Sequence, residues 1–142
     1  MVRPIIAVAT VVAAALALSG CSFLAPTRDT DGGIVGEVKM PSTEAWVGDC
    51  FTFVDGSNLA YATVVPCTEP HTHRVIGTGT LNELRIARFD SLQIAVLEVC
   101  KDRLEIYQAA QEGEVSPEYI ASKKTERDGR EVTHYSCLVK DS

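Results

Sequence analysis

Strand-forming residues alternate with turn-forming clusters across residues 46–78, which read WVGDCFTFVDGSNLAYATVVPCTEPHTHRVIGT. Valine, isoleucine, threonine and aromatic side chains, which favour strands, concentrate at residues 46–54, 59–65 and 71–78. The cluster DGSN that separates the first two segments is typical of a tight turn. We therefore predict three consecutive strands, of which the first two pair antiparallel.

Downstream of these strands, the hydrophobic pattern changes from the strand period to the helical period. Apolar side chains recur every three or four residues, at Phe89, Leu92, Val96, Cys100, Leu104 and Tyr107. This spacing places them on one side of a helix, because a helix brings residues three and four apart onto the same face. We predict that this helix runs over residues 91–111, with the apolar stripe facing the core.

The last third of the sequence predicts a second short helix and a β-hairpin. A Ser-Pro pair at residues 116–117 is typical of a helix start. An Asp-Gly pair at residues 128–129 favours a tight turn between arms at residues 123–127 and 131–139. The resulting order, three strands, one main helix and two strands, predicts the α+β fold class. We expect a small antiparallel sheet packed on that one helix.

The N-terminal residues resemble the export signal of bacterial lipoproteins. Arg3 precedes an apolar run at residues 5–18, which is shorter than the about 20 residues that a bilayer span needs. The sequence LSGC that ends at Cys21 is similar to the lipobox, in which the cysteine thiol receives a diacylglyceride and the leader is cleaved just before it. The resemblance implies a signal peptide at residues 1–20 and a lipid anchor on Cys21. The alternative is an ordinary signal peptide with an incidental cysteine.

Length and composition define the rest of the chain and exclude one class of partner. Residues 21–44 mix glycine, proline and aspartate with isolated apolar residues, so we predict a lipidated flexible tether, in which Ile34 and Val35 could form one edge strand. Residues 45–142 are predicted to form a single disulfide-stapled α+β domain. The 142-residue chain has a formal charge of −6 and no block of lysine or arginine, which excludes a typical nucleic-acid binder.

Four cysteines follow Cys21, and in an exported chain an even number of cysteines indicates disulfides. Of the three pairings that four cysteines allow, we favour Cys50–Cys67, which would close a local hairpin unit. The second bridge would then be Cys100–Cys137, which would tie the helix to the last strand. The alternative is a zinc site that combines two of these thiols with nearby histidines, although the usual CxxC element is absent from the sequence.

The third predicted strand carries the candidates for a ligand site. His71 and His73 would lie on one face of the strand, about 6.5–7 Å apart along the chain. A metal could bridge them, and Glu69 or His134 could complete its ligands. The other interpretation is a polar strand start whose side chains bond to backbone. We expect no bound metal and no cofactor, and we interpret Asp49 as a turn residue and not as a general acid.

Several segments in combination resemble the septum formation family of actinobacterial envelope proteins. The matching segments are VGDCF at residues 47–51, VVPC at 64–67, EPH at 69–71, the helical Cys100 and a Cys-Leu pair at 137–138. The resemblance covers about residues 46–139. It implies a secreted or membrane-tethered domain without accepted catalytic residues. The chain departs from the family pattern at residues 72–74, and it lacks the tryptophan often found before the C-terminal strand.

These observations lead to three functional hypotheses. We predict a lipid-anchored, non-catalytic interaction module on the extracytoplasmic face of the cell membrane, which would bind envelope or division proteins and no nucleic acid. One alternative is an envelope carrier of a small ligand or metal that uses His71 and His73. The other is an envelope hydrolase, although the sequence contains no nucleophile elbow, phosphate-binding loop or dinucleotide fingerprint.

Overall fold

The computed structural model describes residues 26–55, 58–111 and 115–141. The predicted signal peptide at residues 1–20, the lipidation site Cys21 and the centre of the DGSN turn lie outside the described residues. Within the described ranges, none of the helices combines the length and the apolar character needed to cross a bilayer.

The described residues form one antiparallel sheet of six strands, together with two α-helices. The elements are β1 (Val38–Pro41), β2 (Cys50–Asp55), β3 (Asn58–Val65), β4 (His73–Leu81), α1 (Glu83–Ile86), α2 (Leu92–Ala109), β5 (Ser116–Thr125) and β6 (Glu131–Lys140). The strand order in the sheet is β1-β3-β2-β4-β6-β5, and every neighbouring pair is antiparallel. The predicted antiparallel sheet and single main helix are therefore confirmed.

The sheet buries apolar side chains on both of its faces. On one face lies the cluster that we call the sheet core, which contains Ile34, Met40, Ala45, Phe51, Ala62, Val64, Val75, Ile120 and Leu138. A short 3-10 turn at Ser42–Glu44 contacts β3, β5 and β6, so the sheet curls around this core. On the other face lies the helix core, which contains Leu81, Ala95, Val96, Cys100 and Cys137. The predicted packing of the sheet on one helix therefore accounts for the helix core and not for the sheet core.

Strand β4 contributes to both cores because its register is interrupted. A bulge shifts the pairing with β6 between Val75 and Gly77. A bulge adds one residue to a strand, so the side chains that follow it face the opposite side. Val75 accordingly lies in the sheet core, whereas Leu81, which is six residues later and would share its face in an uninterrupted strand, lies in the helix core.

Residues 26–44 of the predicted tether belong to the folded domain. Strand β1 pairs with β3, and Ile34 is 5% exposed within the sheet core. Residues 26–37, which we call the N-terminal arm, also form a bridge between Arg28 and Ile34. The prediction of a flexible tether over residues 21–44 is therefore wrong for residues 26–44. Their apolar residues are isolated in the sequence and gain their burial from β3, which is distant along the chain.

The second predicted helix is a strand. The Ser-Pro pair at residues 116–117 begins β5, which pairs with β6 along its whole length. Proline is tolerated there because β5 is an edge strand, whose outer amides need no partner. The predicted Asp-Gly hairpin is confirmed, and its arms extend to ten residues each.

Helix α2 closely follows the prediction from periodicity. Its N-cap is Ser91, whose hydroxyl accepts a hydrogen bond from the Ile94 amide at 3.2 Å. Its buried face contains Ala95, Val96 and Cys100. The predicted disulfides Cys50–Cys67 and Cys100–Cys137 are both present.

Candidate functional site

Three stretches of the sequence, residues 47–51, 64–67 and 69–71, lie around the Cys50–Cys67 disulfide. Residues 46–49, which we call the Trp46 turn, form a tight loop before β2. The Asp49 amide donates to the Trp46 carbonyl at 3.0 Å, and the Trp46 amide donates to Oδ2 of Asp49 at 2.7 Å. Gly48 has a φ of +96°, a conformation that other residues rarely adopt. The interpretation of Asp49 as a turn residue is therefore confirmed.

A buried ion pair holds the N-terminal arm against the Trp46 turn. The Arg28 guanidinium donates to both carboxylate oxygens of Asp49, at 2.7 and 2.8 Å, and to the Gly32 carbonyl at 2.9 Å. The side chains of Arg28 and Asp49 are only 10% and 4% exposed. The hydrogen bonds to Asp49 raise the pKa of Arg28 above its ordinary value, although burial acts in the opposite direction. Sequence reasoning missed this pair because its members are 21 residues apart.

The same arginine supports the exposed end of the turn. The guanidinium carbon of Arg28 lies 4.0 Å from the centroid of the Trp46 ring, in cation–π geometry. Trp46 is nevertheless 59% exposed and Val47 is 60% exposed. The turn therefore presents two apolar side chains to solvent on a backbone that is held by Asp49. Beside it, a cleft of about 410 Å³ is lined by Val47, the acidic loop at residues 29–33 and the disulfide.

On the other side of the disulfide, His71 is bound to the C-terminal end of the described chain. Its Nε2 donates to Oδ2 of Asp141 at 2.7 Å, and its Nδ1 lies 2.7 Å from the Glu69 carbonyl oxygen. Arg74 donates to the same Asp141 oxygen at 3.4 Å. Both ring nitrogens of His71 therefore face acceptor oxygens, which leaves no ring nitrogen directed at an open ligand position.

His73 lies in a different environment from His71. Its Nε2 donates to Glu118 at 3.0 Å, and its Nδ1 is 2.7 Å from the Thr72 hydroxyl. The ring stacks on Phe51 and meets Phe53 edge-on, with centroid distances of 5.5 and 5.0 Å. The residue is 8% exposed, so it is a core residue whose two ring nitrogens both have hydrogen-bond partners.

The two histidines do not form a shared metal site in the described part of the chain. The group of potential ligands found there is Cys50, His71 and Asp141, whose ligand atoms lie within 4.8 Å of one another. The Cys50 sulfur is bonded to Cys67 and so is not a thiolate ligand. His73 is not part of that group. The sequence expectation that the protein binds no metal or cofactor stays a prediction.

A second surface lies between α2 and β5, and we call it the α2–β5 groove. The groove has a volume of about 270 Å³, and its lining includes Ile76, Leu104 and Tyr119. Ile94 and Leu97, which also line it, are 44% and 46% exposed. Both residues lie outside the predicted apolar stripe on α2. They flank the part of the helix that contacts the sheet.

In comparisons with known proteins, no family model, curated protein or solved structure matches this chain.

Proposed function

We propose that this protein is a lipid-anchored, non-catalytic interaction module on the extracytoplasmic face of the cell membrane, acting in septum formation or cell envelope assembly. The lipobox-like sequence that ends at Cys21 supports the anchor. The order and spacing of the segments around Cys50 and Cys67 along the sequence support the family resemblance.

The disulfides support the extracytoplasmic location. Each of the four cysteines in the described residues is paired. Reducing systems keep cytosolic thiols free, whereas bridges of this kind persist outside the cytosol. A chain in which only 6% of the residues are aromatic gains stability from such covalent links, since each bridge restricts the unfolded chain.

The α2–β5 groove is the observation that carries the interaction role. Ile94 and Leu97 are nearly half exposed at its rim, over a lining that is mainly apolar. Large aliphatic side chains at the edge of an apolar groove favour contact with a partner protein, because burial removes them from water. We propose that a partner of the envelope or division machinery inserts an apolar side chain into this groove.

Proximity labelling in the native cell tests this role. A labelling enzyme fused to the C-terminus of the anchored protein should mark a defined set of envelope proteins. Leu97→Glu places a charge at the groove rim, and we expect it to remove those partners from the labelled set. Leu84→Glu is the matched control, because Leu84 is 79% exposed on α1 and does not line the groove. Equal labelling by the two variants would contradict the role of the groove.

Mass spectrometry of the same material tests the location. We expect a mature chain that starts at Cys21, carries acyl chains and has four oxidised cysteines. A chain that retains residues 1–20 and four free thiols would refute the proposed anchor and the proposed compartment together.

A further inference from the structure

We propose that the Trp46 turn is a membrane-contact site, at which Trp46 and Val47 enter the interfacial layer of the bilayer that holds the lipid anchor. This inference rests on the proposed lipidation of Cys21 and extends it. It assigns an orientation to the domain, with the Trp46 turn against the lipid surface.

The position of the N-terminal arm brings the Trp46 turn close to the anchor. Pro26, the first described residue, is five residues after Cys21, a distance of at most about 18 Å for an extended chain. Two residues later, Arg28 packs against the Trp46 ring. The link between lipid and domain is therefore short, and it joins the domain at the Trp46 turn. A tether of 24 residues would have allowed many orientations, but this short link restricts them.

The exposed side chains of the turn have the chemistry of a bilayer interface. Tryptophan is enriched at membrane–water boundaries because its ring is apolar and its indole N–H is polar. Trp46 and Val47 are both more than half exposed, and the turn that carries them is held by Asp49. Val35, which is 53% exposed, bonds through its backbone to Thr27 at the base of the same arm.

Pairing of charges allows the turn to approach lipid. The guanidinium beneath the indole ring is neutralised by the two hydrogen bonds from Arg28 to Asp49. An unpaired charge at this position would oppose insertion, because charges are costly to remove from water. The pair allows the ring to lose solvent contact without exposing an uncompensated charge to the lipid.

The surrounding charges indicate that the contact depends on the anchor. Asp29 and Asp31 line the cleft beside Val47, and the chain has a formal charge of −6. Anionic headgroups would repel this surface. The anchor supplies a high effective concentration near the bilayer, which makes a weak apolar contact sufficient. We therefore expect contact with zwitterionic lipid that is insensitive to salt.

The chain contains its own probe for this contact, because Trp46 is its single tryptophan. Mature lipidated protein is incorporated into phosphatidylcholine vesicles with and without brominated acyl chains, and its fluorescence is recorded. We expect emission at shorter wavelength than for the protein in detergent-free buffer. We also expect about a twofold loss of intensity with brominated lipid, since an interfacial side chain lies near the acyl boundary.

Two variants with the same substitution separate the contact from general proximity. Val47→Asp keeps the probe and adds a charge beside it, and we expect it to abolish the quenching. Val54→Asp is the control, because Val54 is 48% exposed at the opposite end of β2, and it should be quenched like the unmodified protein. Far-UV circular dichroism confirms that both variants are folded.

The outcomes distinguish this inference from the proposed function. A protein that lacks acyl chains and does not float with vesicles refutes both. A lipidated protein that floats with vesicles, but whose Trp46 emission is neither shifted nor quenched, refutes the membrane contact alone. In that case the exposed turn is left for a protein partner. Equal loss of quenching in the two variants also refutes the assignment to the Trp46 turn.

Discussion

Removal of the Arg28 side chain tests whether the N-terminal arm belongs to the domain. In Arg28→Ala, the Asp49 carboxylate loses both of its hydrogen bonds from the guanidinium and, among the described residues, keeps only the one from the Trp46 amide. Asp49 is 5% exposed, so water cannot replace the lost donors unless the arm moves away. The variant should therefore be destabilised by more than a loss of surface charge would cause.

The size of the effect follows from burial. Removing one partner of a buried ion pair costs about 3–5 kcal/mol. The lower end applies here for two reasons. Nε of Arg28 is buried without a partner among the described residues, which already costs free energy in the unmodified protein. Removing the side chain relieves that cost. The arm can also lift and admit water to Asp49. We expect a loss of about 3 kcal/mol, equivalent to a fall in Tm of about 10–15 °C for a domain of this size.

Denaturant unfolding followed by far-UV circular dichroism, with disulfides intact, measures this loss. Arg130→Ala is the matched control, because Arg130 also pairs with carboxylates but is 73% exposed in the last hairpin. Exposed pairs of this kind contribute about 0–1 kcal/mol. If Arg28→Ala is no less stable than Arg130→Ala, the arm is not docked through Asp49. In that case the arm is held to the sheet by Ile34 and β1 and not by the ion pair.

Two further predictions concern the helix core. A Cβ at Gly79 would lie 2.5 Å from Oη of Tyr135, its cross-strand partner, so we expect Gly79→Ala to cost about 1–3 kcal/mol in urea unfolding. The cost should shrink in a Tyr135→Ala background, and an equal cost there would contradict the steric reason. Replacing Cys100 and Cys137 together by alanine opens a bridge with a sequence separation of 37, and should lower stability by about 4 kcal/mol. An unchanged thermal transition would show that this bridge does not restrict the unfolded chain.

The elements predicted correctly are those whose signal is local. Helix α2 was found because a helix repeats its buried face every three or four residues, and Ser91 marked its start. The last hairpin was found because its turn needs residues such as Gly129, with a φ of +81°. The disulfide pairs were predicted because each one joins elements that the pattern had already placed.

The errors share one physical cause, which is dependence on distant partners. Four residues of β1 show no periodicity, and their strand conformation comes from hydrogen bonds to β3. Strand β5 begins with a Ser-Pro pair that favours a helix locally, but pairing with β6 along ten residues outweighs that preference. The sheet core was missed as a separate core because the curl of the sheet is not a property of any single segment.

In the candidate site, too, some features follow from the sequence and others depend on the fold. The amino-acid sequence alone determined which side chains are available: the cysteines that bridge, the Asp49 turn, the two histidines and the lipobox-like segment. Only the tertiary structure decided their partners, which are Arg28 for Asp49, Asp141 for His71 and Glu118 for His73. These pairs join residues 21, 70 and 45 positions apart. Side-chain chemistry is written in each residue, whereas burial and ion pairing arise only when the folded chain brings distant residues together and excludes water between them.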